Sequence, residues 1–336
     1  MKGLKIFLVF VFVVGFGLVV AALTMGMDFD AVTDYLNDDA AYGEEIIYDT
    51  TEMIEVIHIE VDTRHIVFEK HMGSNIRIRY HAHEDRDTWD IDEEDGILTI
   101  DQDEKTQFLI LFPKITSRHI KTLYIAIPDG ISFDFEIKTH TGDVSFEMDQ
   151  VETFGDMLLD SNTGNILLKN LSLNELDISL STGDVSLVNV NTDFNLSAES
   201  NTGNINLSNV TASHVALDSN TGKINIDGLV ATSLIADCNT GSISIDETTI
   251  SGTVTLDSST GSIDIQSTTA SQFDISSSTG DVSVMVSSLD IYRFDLKTDV
   301  GVVKVGGINQ GTTHITTSGT ILMKIRVSTG TINIRA

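Results

Sequence analysis

The stretch Asp-Ser-Asn-Thr-Gly-Asn-Ile, residues 160–166, recurs in near copies through the second half of the chain. These copies have Asn-Thr-Gly or Ser-Thr-Gly at their centre, and they begin at Ser181, Asn201, Asn220, Asn239, Ser259 and Ser278. From Gly142 onward, the successive glycines of this series are 22, 19, 20, 19, 19, 20, 19, 21, 18 and 11 residues apart. A nearly fixed period of about 20 residues over more than half of a chain predicts a repeat architecture.

Each copy contains two short runs in which every second residue is apolar. Ile224 and Ile226 follow one glycine of the series, and Leu234 and Ala236 precede the next. Such alternation predicts strands with one buried face, and a single copy could not bury that face alone. We therefore predict an all-β protein whose repeats stack as a parallel β-solenoid, similar to a β-helix, of about ten coils with ~20 residues each.

The glycine of each copy predicts a turn that requires positive φ, because a side chain would clash there. The predicted structural turn glycines are Gly142, Gly164, Gly183, Gly203, Gly222, Gly241, Gly261 and Gly280. Two positions before the glycine, Asn162, Asn201, Asn220 and Asn239 predict a ladder of stacked amides. Weaker matches at Gly301, Gly319 and Gly330 predict that the solenoid ends with the last strand of the chain. Three basic residues would then protect this exposed edge, namely Lys324, Arg326 and Arg335.

Four residues before the glycine, five copies carry an acidic side chain that the alternation places on the outer surface. These residues are Asp160, Glu199, Asp218, Asp237 and Asp257. Neighbouring carboxylates about 5 Å apart repel by roughly 0.8 kcal/mol in bulk water, and a bound cation would relieve that repulsion. Two interpretations stay open: a solvated column of acids, or a metal site of low affinity for calcium. No other cofactor and no catalytic residue is expected.

The first 27 residues predict a signal-anchor transmembrane helix. Lys2 and Lys5 precede an uncharged run, residues 6–27, that is long enough for the roughly 30 Å hydrocarbon layer. Because the positive charges come before this run, we expect a single-pass cell-membrane protein with its C-terminal domain outside the cell. A cleaved secretion signal is the alternative. Residues 28–53 are rich in acids and predict a solvated linker.

Residues 54–140 predict an irregular β region that caps the repeat solenoid of residues 141–336. Residues 93–96, Glu-Glu-Asp-Gly, predict a hairpin turn. The spacing of Asp90, Asp92, Asp95 and Gly96 is one residue out of register for a calcium loop, so an acidic hairpin is favoured over a calcium site. Histidines at positions 71, 81 and 83 are expected at the surface, because a strand pair alone does not supply the converging ligands that zinc requires. The apolar run Phe108–Phe112 predicts a core strand or a cap, with contact to a bilayer surface as the alternative.

The composition argues against several classes of function. The chain has 50 acidic and 20 basic residues among 336, and its formal net charge of −30 would repel phosphates, so we expect no nucleic-acid partner. The only cysteine, Cys238, falls in a column of serines, which predicts a small buried side chain rather than a reactive thiol. The acids are spread evenly along the repeats, whereas a glycosidase needs two carboxylates beside one bond.

The order of these motifs resembles a known family. A strand that ends in Ile-Ala-Ile-Pro, residues 125–128, precedes an alternating strand that leads into Lys-Thr-His-Thr-Gly-Asp-Val, residues 138–144. Followed by the Ser/Asn-Thr-Gly repeats, this combination resembles the bacterial "putative adhesin" domain family over residues 54–334. With the lysine-flanked anchor, the chain is also similar to accessory membrane proteins of Lia-type envelope-stress operons. The resemblance implies a bacterial β-solenoid outside the membrane, of unknown function, and supplies no catalytic residues.

Three functions stay open on this basis. The first is a non-catalytic, membrane-anchored adhesin-like solenoid that presents a long acidic surface to a cell-wall polymer. The second is an accessory regulator of an envelope-stress response that contacts a membrane sensor or transporter. The third is a polysaccharide-active enzyme, which the even spread of acids makes the least favoured.

Overall fold

The computed structural model describes residues 37–105 and 115–336. The predicted signal-anchor at residues 1–27 and the apolar run Phe108–Phe112 lie outside these residues. Among the described residues, no helix is long and apolar enough to span a membrane. This part of the chain consists of strands, turns and one short 3-10 helix, Asp39–Ala41. The predicted all-β class is confirmed.

The strands fall into an N-terminal group, a repeat group and a C-terminal group. The N-terminal strands are β1 (Ile46–Asp49), β2 (Val56–Val61), β3 (His65–His71), β4 (Arg77–Tyr80), β5 (Asp87–Glu94), β6 (Ile97–Glu104), β7 (Thr122–Pro128), β8 (Asp134–Thr141) and β9 (Val144–Thr153). The repeat strands are β10 (Met157–Thr163), β11 (Ile166–Leu173), β12 (Leu176–Thr182), β13 (Val185–Thr192), β14 (Asn195–Thr202), β15 (Ile205–Thr221), β16 (Ile224–Thr240), β17 (Ile243–Asp246), β18 (Thr249–Ile250), β19 (Thr253–Thr260), β20 (Ile263–Ile265), β21 (Gln272–Thr279) and β22 (Val282–Met285). The C-terminal strands are β23 (Tyr292–Val300), β24 (Val303–Val305), β25 (Ile308–Asn309), β26 (Thr313–Ile315), β27 (Ile321–Thr329) and β28 (Ile332–Arg335).

Two long parallel ladders form the body of the molecule. We call them the leading ladder, whose strands precede the turns of the series, and the trailing ladder, whose strands follow them. In space the leading ladder runs β6, β2, β8, β10, β12, β14, β15, β16, β19, β21, β27 and β23. The trailing ladder runs β7, β3, β9, β11, β13, β15, β16, β17, β20, β22, β28 and β24. One strand of each ladder makes one coil, so the chain forms a solenoid-like stack with a step of about 4.8 Å.

Side chains alternate between the inside and the outside of the stack along both ladders. Ile224 and Ile226 on one side, and Leu234 and Ala236 on the other, are all buried inside the same coil. Burying one large apolar side chain of this kind contributes about 1.5–3 kcal/mol. The coil gains that contribution only because the coils above and below it cover its core, so stacking stabilises the fold.

The predicted turn glycines form a column where the leading ladder passes into the trailing ladder. All eight have φ between 141° and 158°. A Cβ on Gly222 would lie 1.8 Å from the carbonyl oxygen of Gly203, and a Cβ on Gly241 would lie 1.5 Å from that of Gly222. The column therefore requires glycine both for its backbone conformation and for the close approach of consecutive coils.

A second column of turns closes each coil on the opposite side. Its residues have φ between 43° and 75°, and they are Asn170, Asn189, Asn209, Gly228, Glu247 and Ser267. Asparagine tolerates this left-handed conformation better than most residues, and the Asn189 Nδ2 donates to Asn170 Oδ1 at 2.9 Å. After this turn, Leu171, Val190, Val210 and Leu229 are buried one above another, where they add a short third side to the stack.

At the N-terminal end, the order of coils in space differs from their order in the chain. The coil of β2 and β3 lies between the coil of β6 and β7 and the coil of β8 and β9. Two antiparallel additions cover the outermost coil: β5 pairs with β6, whereas β4 pairs with β7 and carries β1 on its other edge. Regular coils therefore extend into the region 54–140 that the sequence predicts as an irregular cap.

The predicted linker, residues 28–53, is only partly described, and its described part is not a free spacer. Strand β1 belongs to the cap, and Tyr42 is buried against the guanidinium of Arg64 at 5.8 Å from ring centroid to Cζ. The sequence prediction fails there because aromatic residues among the acids supply an apolar face that the cap buries.

The C-terminal end contradicts the prediction that the last strand is an exposed edge. Strand β27 lies between β21 and β23, and β28 lies between β22 and β24, so the last coil of the chain is internal. Gly330 stacks on Gly280 and Gly301 stacks on Gly330, whereas Gly319 belongs to a loop outside the column. The 11-residue step was therefore an accidental match, because Gly319 lies in the connection that returns the chain to the stack.

The basic residues of this coil also have a different role from the predicted edge protection. Lys324 Nζ contacts Asp274 Oδ2 at 2.9 Å, and Arg326 Nη2 contacts Asp295 Oδ2 at 2.5 Å. Arg335 Nη2 donates to Ser283 Oγ at 3.2 Å. Their side chains thus join the last coil to the coils on either side of it.

Candidate functional site

The outer face of the leading ladder brings most of the predicted acidic column together. Strand register places Glu199 beside Asp218, Asp218 beside Asp237, and Asp237 beside Asp257, with all four side chains exposed. Asp160 lies apart from them, because Ser179 on β12 stands between it and Glu199. We call the four adjacent acids, Glu199, Asp218, Asp237 and Asp257, the acidic column.

The four carboxylates influence one another. The neighbouring coils partly shield the Asp237 carboxylate from water although its side chain is exposed, and this desolvation raises its pKa. The carboxylates of Asp257 and Asp218 on either side raise that pKa further. Within residues 37–105 and 115–336, no member of the acidic column forms an ion pair, although Ser276 Oγ donates to Asp257. The same residues contain no group of three or more His, Cys, Asp or Glu side chains arranged to hold a metal ion. The calcium site stays a prediction.

An amide ladder runs beside the acidic column. Asn220 Nδ2 donates to Asn201 Oδ1 at 2.7 Å, and Asn239 Nδ2 donates to Asn220 Oδ1 at 2.6 Å. Asn162 stands outside this ladder because Ser181 occupies the coil between it and Asn201. The Asn220 amide thus donates one of these hydrogen bonds and accepts the other, and it joins three consecutive coils.

Basic residues close the acidic face at both ends. Continuing the same outward column, Lys138 lies next to Asp160 on the N-terminal side, and Arg326 lies two coils beyond Asp257 on the C-terminal side, followed by Lys297. Lys297 Nζ contacts Asp299 Oδ1 at 3.0 Å. A shallow depression lies between the acidic and basic parts of this face, with Asp257 and Arg326 in its wall. The face therefore changes the sign of its charge over two coils.

The turns beside the glycine column contain side-chain to backbone hydrogen bonds between coils, which the sequence analysis did not identify. Asn165 Oδ1 accepts the backbone N–H of Asp184 at 3.0 Å, and Asp184 Oδ1 accepts that of Asn204 at 2.7 Å. Asn204 Oδ1 continues the series to Lys223 N at 3.0 Å. The signal was present in the sequence, since Asp or Asn follows the glycine in these copies.

A buried charged cluster at the N-terminal end was also missed. Arg64 occupies the place that glycine holds in the later coils, and its side chain is fully buried. Its guanidinium pairs with Asp87, and its Nη1 lies 3.6 Å from Glu104 Oε2. Lys121 Nζ contacts the same Glu104 oxygen at 2.6 Å. Removing one partner of such a buried pair costs about 3–5 kcal/mol, so the cluster holds the cap in place.

Ionisation within this cluster follows from its surroundings. Burial lowers the pKa of Lys121, and the charge of Arg64 lowers it further. Burial acts to raise the pKa of Glu104, but hydrogen bonds from Lys121 and Thr63 outweigh it and lower that pKa below its ordinary value. Burial raises the pKa of Tyr42 to about 12. The carboxylate of Glu104 therefore stays ionised between two cations.

The remaining candidate residues lie apart from one another. Cys238 is buried between Ser219 and Ser258, and burial raises the pKa of its thiol. His81 Nδ1 lies 2.9 Å from the carbonyl oxygen of Gly43. The predicted surface position of His83 is wrong, because its ring is buried edge-on against Tyr42. The acidic segment around Asp95 forms the predicted hairpin between β5 and β6.

Comparisons with known proteins identify the family of this fold. A family model described as Toastrack DUF4097 matches residues 54–335. No curated protein matches the chain significantly. Among solved structures, a protein named a "putative adhesin" from Parabacteroides merdae ATCC 43184 is 19% identical, with a TM-score of 0.48, and the match covers 72% of this chain and 96% of that chain.

Two further solved structures match a larger share of the chain. A "putative adhesin" from Bacteroides fragilis NCTC 9343 is 16% identical, with a TM-score of 0.41, over 87% of this chain and 97% of that chain. A "putative cell adhesion protein" from Clostridium sporogenes ATCC 15579 is 10% identical, with a TM-score of 0.20, over 87% of this chain and 98% of that chain. With TM-scores below 0.5, these likenesses carry no argument about function.

Proposed function

We propose that this chain, which belongs to the Toastrack DUF4097 family, is a non-catalytic, adhesin-like binding module of the bacterial cell envelope. The family membership confirms the resemblance that the sequence analysis drew from the glycine repeats. The module would bind through the outer face of the leading ladder, where the acidic column and the amide ladder run side by side.

The observation that supports this proposal is the register of the central coils. From β14 to β19, each step of the stack repeats one acidic side chain, at Glu199, Asp218, Asp237 and Asp257, without interruption. Steps of about 4.8 Å give a row of like sites on one rigid face. A row of individually weak sites binds a polymer more tightly than any single site does, because the second contact forms at a high effective concentration.

The chemistry of the face favours a partner that carries positive charge. Carboxylates that repel one another gain most from cationic groups, since each added cation offsets the repulsion and makes charge-assisted hydrogen bonds. A cell-wall polymer with ammonium groups, or a basic segment of a membrane protein, would supply such groups. The acidic column would select these partners against anionic polymers by like-charge repulsion.

We also propose that the module works outside the cell membrane. This placement is based on the sequence, in which two lysines precede the apolar run at residues 6–27 and acids follow it. Labelling a cysteine placed at Ser259 in intact cells with a membrane-impermeant reagent tests the placement. Labelling only after the cells are broken would contradict it.

A binding assay with matched variants tests the function. The first variant neutralises the acidic column: Glu199→Gln, Asp218→Asn, Asp237→Asn and Asp257→Asn. The control neutralises four acids on the trailing ladder: Glu147→Gln, Asp227→Asn, Asp246→Asn and Asp264→Asn. We expect the full chain to sediment with isolated bacterial cell walls, the first variant to lose at least tenfold in affinity, and the control to keep its affinity within about twofold.

Two outcomes of this assay would contradict the proposal. One is equal loss in both variants, which would indicate a general effect of net charge. The other is failure of the parent chain to bind cell walls with or without their ammonium-bearing polymers.

A further inference from the structure

Both ends of the stack present unpaired strand edges. At the N-terminal end, β5 pairs only with β6 and β1 only with β4, among the described residues. At the C-terminal end, β26 pairs only with β23 and β25 only with β24, within the same residues. The backbone groups on the free edges of these four strands point along the axis of the stack, because the ladders run along that axis. An open edge is a template for pairing with another strand.

The two ends carry opposite charge. Residues 37–105 and 115–128, which form the N-terminal end, contain 21 acidic and 8 basic residues, a formal net charge of −13. Residues 286–336, which form the C-terminal end, contain 3 acidic and 6 basic residues, a formal net charge of +3. The rest of the chain is acidic, so the C-terminal end is the exception in a protein with a net charge of −30.

Strand direction and exposed apolar side chains also suit a contact between unlike ends. Strand β26 at the C-terminal end and strand β5 at the N-terminal end both run antiparallel to the leading ladder. If the leading ladder of one copy continued into that of the next copy, β26 of the first copy would therefore lie parallel to β5 of the second. Ile308 on β25 and Ile315 on β26 are 66% exposed at one end, and Ile47 on β1 is 56% exposed at the other. Burying these side chains would add an apolar contribution to the backbone hydrogen bonds.

We propose that copies of this chain associate head to tail, with the C-terminal end of one stack on the N-terminal end of the next. The two surfaces differ, so the contact is heterologous, and repetition along a straight axis generates an open filament rather than a closed ring. The occupant of each end is therefore a second copy of this chain. This inference is independent of the proposed binding face, which lies along the side of the stack.

The overall negative charge of the chain does not prevent this contact. Twelve coils at about 4.8 Å give a stack of roughly 58 Å, whereas charges are screened beyond about 8 Å at physiological ionic strength. The facing ends therefore interact mainly with each other, and the acidic columns of neighbouring copies lie too far apart to oppose the contact. Since the attraction is electrostatic in part, added salt weakens it.

Disulfide trapping tests the orientation of the contact. In the full chain in detergent, with Cys238→Ser, one sample carries Thr88→Cys on β5 and another, differently tagged, carries Thr313→Cys on β26. We expect mixed disulfides between the two samples to exceed same-end disulfides at least fivefold, and none with Ser259→Cys on the side of the stack. Same-end disulfides in equal amount, or none of any kind, would overturn the proposal.

Charge reversal tests its physical basis. Arg293→Glu with Lys304→Glu changes two exposed cations at the C-terminal end that form no ion pair with the described residues. Lys169→Glu with Lys223→Glu changes the net charge by the same amount along the side of the stack. We expect the end variant to weaken association at least tenfold in analytical ultracentrifugation and the side variant to change it less than twofold. Equal effects in the two variants would refute head-to-tail contact.

Discussion

At the scale of single residues, stacking gives most repeat positions a defined structural role. Gly222 allows the backbone of the preceding coil to approach, Asn220 forms hydrogen bonds with the amides on both sides, and Ile224 fills the core. Asp237 has no such structural duty, and its exposed carboxylate is held beside two others. The residues that stabilise the stack and the residues that only project from its surface can therefore be changed separately.

Gly222→Ala tests the duty of the glycine column. The new methyl group would meet the carbonyl oxygen of Gly203 and would also hold a side chain at φ 158. We expect the free energy of unfolding to fall by about 3 kcal/mol, the upper range for a side chain in such a backbone conformation. Gly43→Ala is the control, because nothing lies within 4 Å of its added methyl group. Chemical denaturation measures both, and equal stability of the two variants would contradict the role of the column.

Asp237→Asn tests the strain within the acidic column. Burial and the neighbouring carboxylates raise the pKa of Asp237 in the folded protein, so the folded state holds its proton more tightly than the unfolded chain does. The contribution of Asp237 to stability is full below pH 3.8 and is lost as the pH rises through its raised pKa. At pH 7 we expect the variant to be more stable by about 0.5 kcal/mol, since solvent screens exposed charges.

The pH dependence separates this effect from an unrelated gain in stability. The advantage of Asp237→Asn should shrink as the pH falls from 7 to below 3.8, where the native carboxyl is protonated too. Asp264→Asn is the matched control and should show no such trend, because Asp264 lies on the trailing ladder between Ser244 and Ser283. Urea unfolding at a series of pH values measures the difference, and a gain that does not vary with pH would refute the explanation.

The sequence predicts the residues that repeat and fails for those that do not. The glycine series and its apolar neighbours identify the coils, because the same spacing in every copy shows which residues occupy equivalent positions. No repeated spacing identifies the position of Arg64. It lies where later coils have glycine, in a coil whose place in the stack depends on the pairing of β2 with the distant strand β6. Gly319 shows the opposite error, in which a residue with nearly the right spacing lies outside the column.

At the scale of strands and coils, the two ends of the stack share one feature, an inserted coil. The first coil of the chain, β2 with β3, and the last coil, β27 with β28, are each inserted between two coils that are closer to one another in the sequence. Sequence periodicity cannot reveal this order, because it describes each coil and not its neighbours. The outermost coils are instead covered by antiparallel strands, β5 and β4 at one end and β26 and β25 at the other.

Removing the last coil tests this arrangement. A chain that ends at Thr320 lacks β27 and β28, so β21 and β23 each lose a neighbour. We expect the amides of Gly280 and Val282, which donate to Thr329 and Thr331 at 3.0 and 2.9 Å, to lose their protection from hydrogen exchange. The amide of Gly222 is the internal control and should keep its protection. Unchanged protection at Gly280 would show that the last coil is not internal.

At the scale of the whole molecule, the stack is a nearly one-dimensional object. Each coil contacts mainly the coil before it and the coil after it, so stability is approximately a sum over coils and their interfaces. The family match over residues 54–335 covers all twelve coils. The length of the stack and the number of repeated outward positions on its side therefore depend on how many coils the chain contains.

Deleting one complete coil tests this additivity. Removal of residues 223–241 joins Gly222 to Ser242 and keeps every remaining residue in its column. We expect a folded, cooperatively unfolding chain whose stack is shorter by about 4.8 Å. Removal of residues 223–231, about half a coil, should instead abolish cooperative unfolding, because the strands that follow can no longer align with their neighbours. Circular dichroism during urea unfolding measures both, and similar behaviour of the two deletions would contradict the model of stacked units.

The inserted last coil also limits the order in which the molecule can fold. Gly280 and Gly330 lie in adjacent coils although 50 residues separate them, whereas coils in the middle of the stack adjoin after 19 to 22 residues. Closing the longer loop costs more entropy and slows the search for the contact. Strands β23 and β24 follow β21 and β22 directly in the chain, yet their place in the stack is on the far side of β27 and β28. We therefore expect the C-terminal end to acquire its native pairing later during refolding than the middle of the stack does.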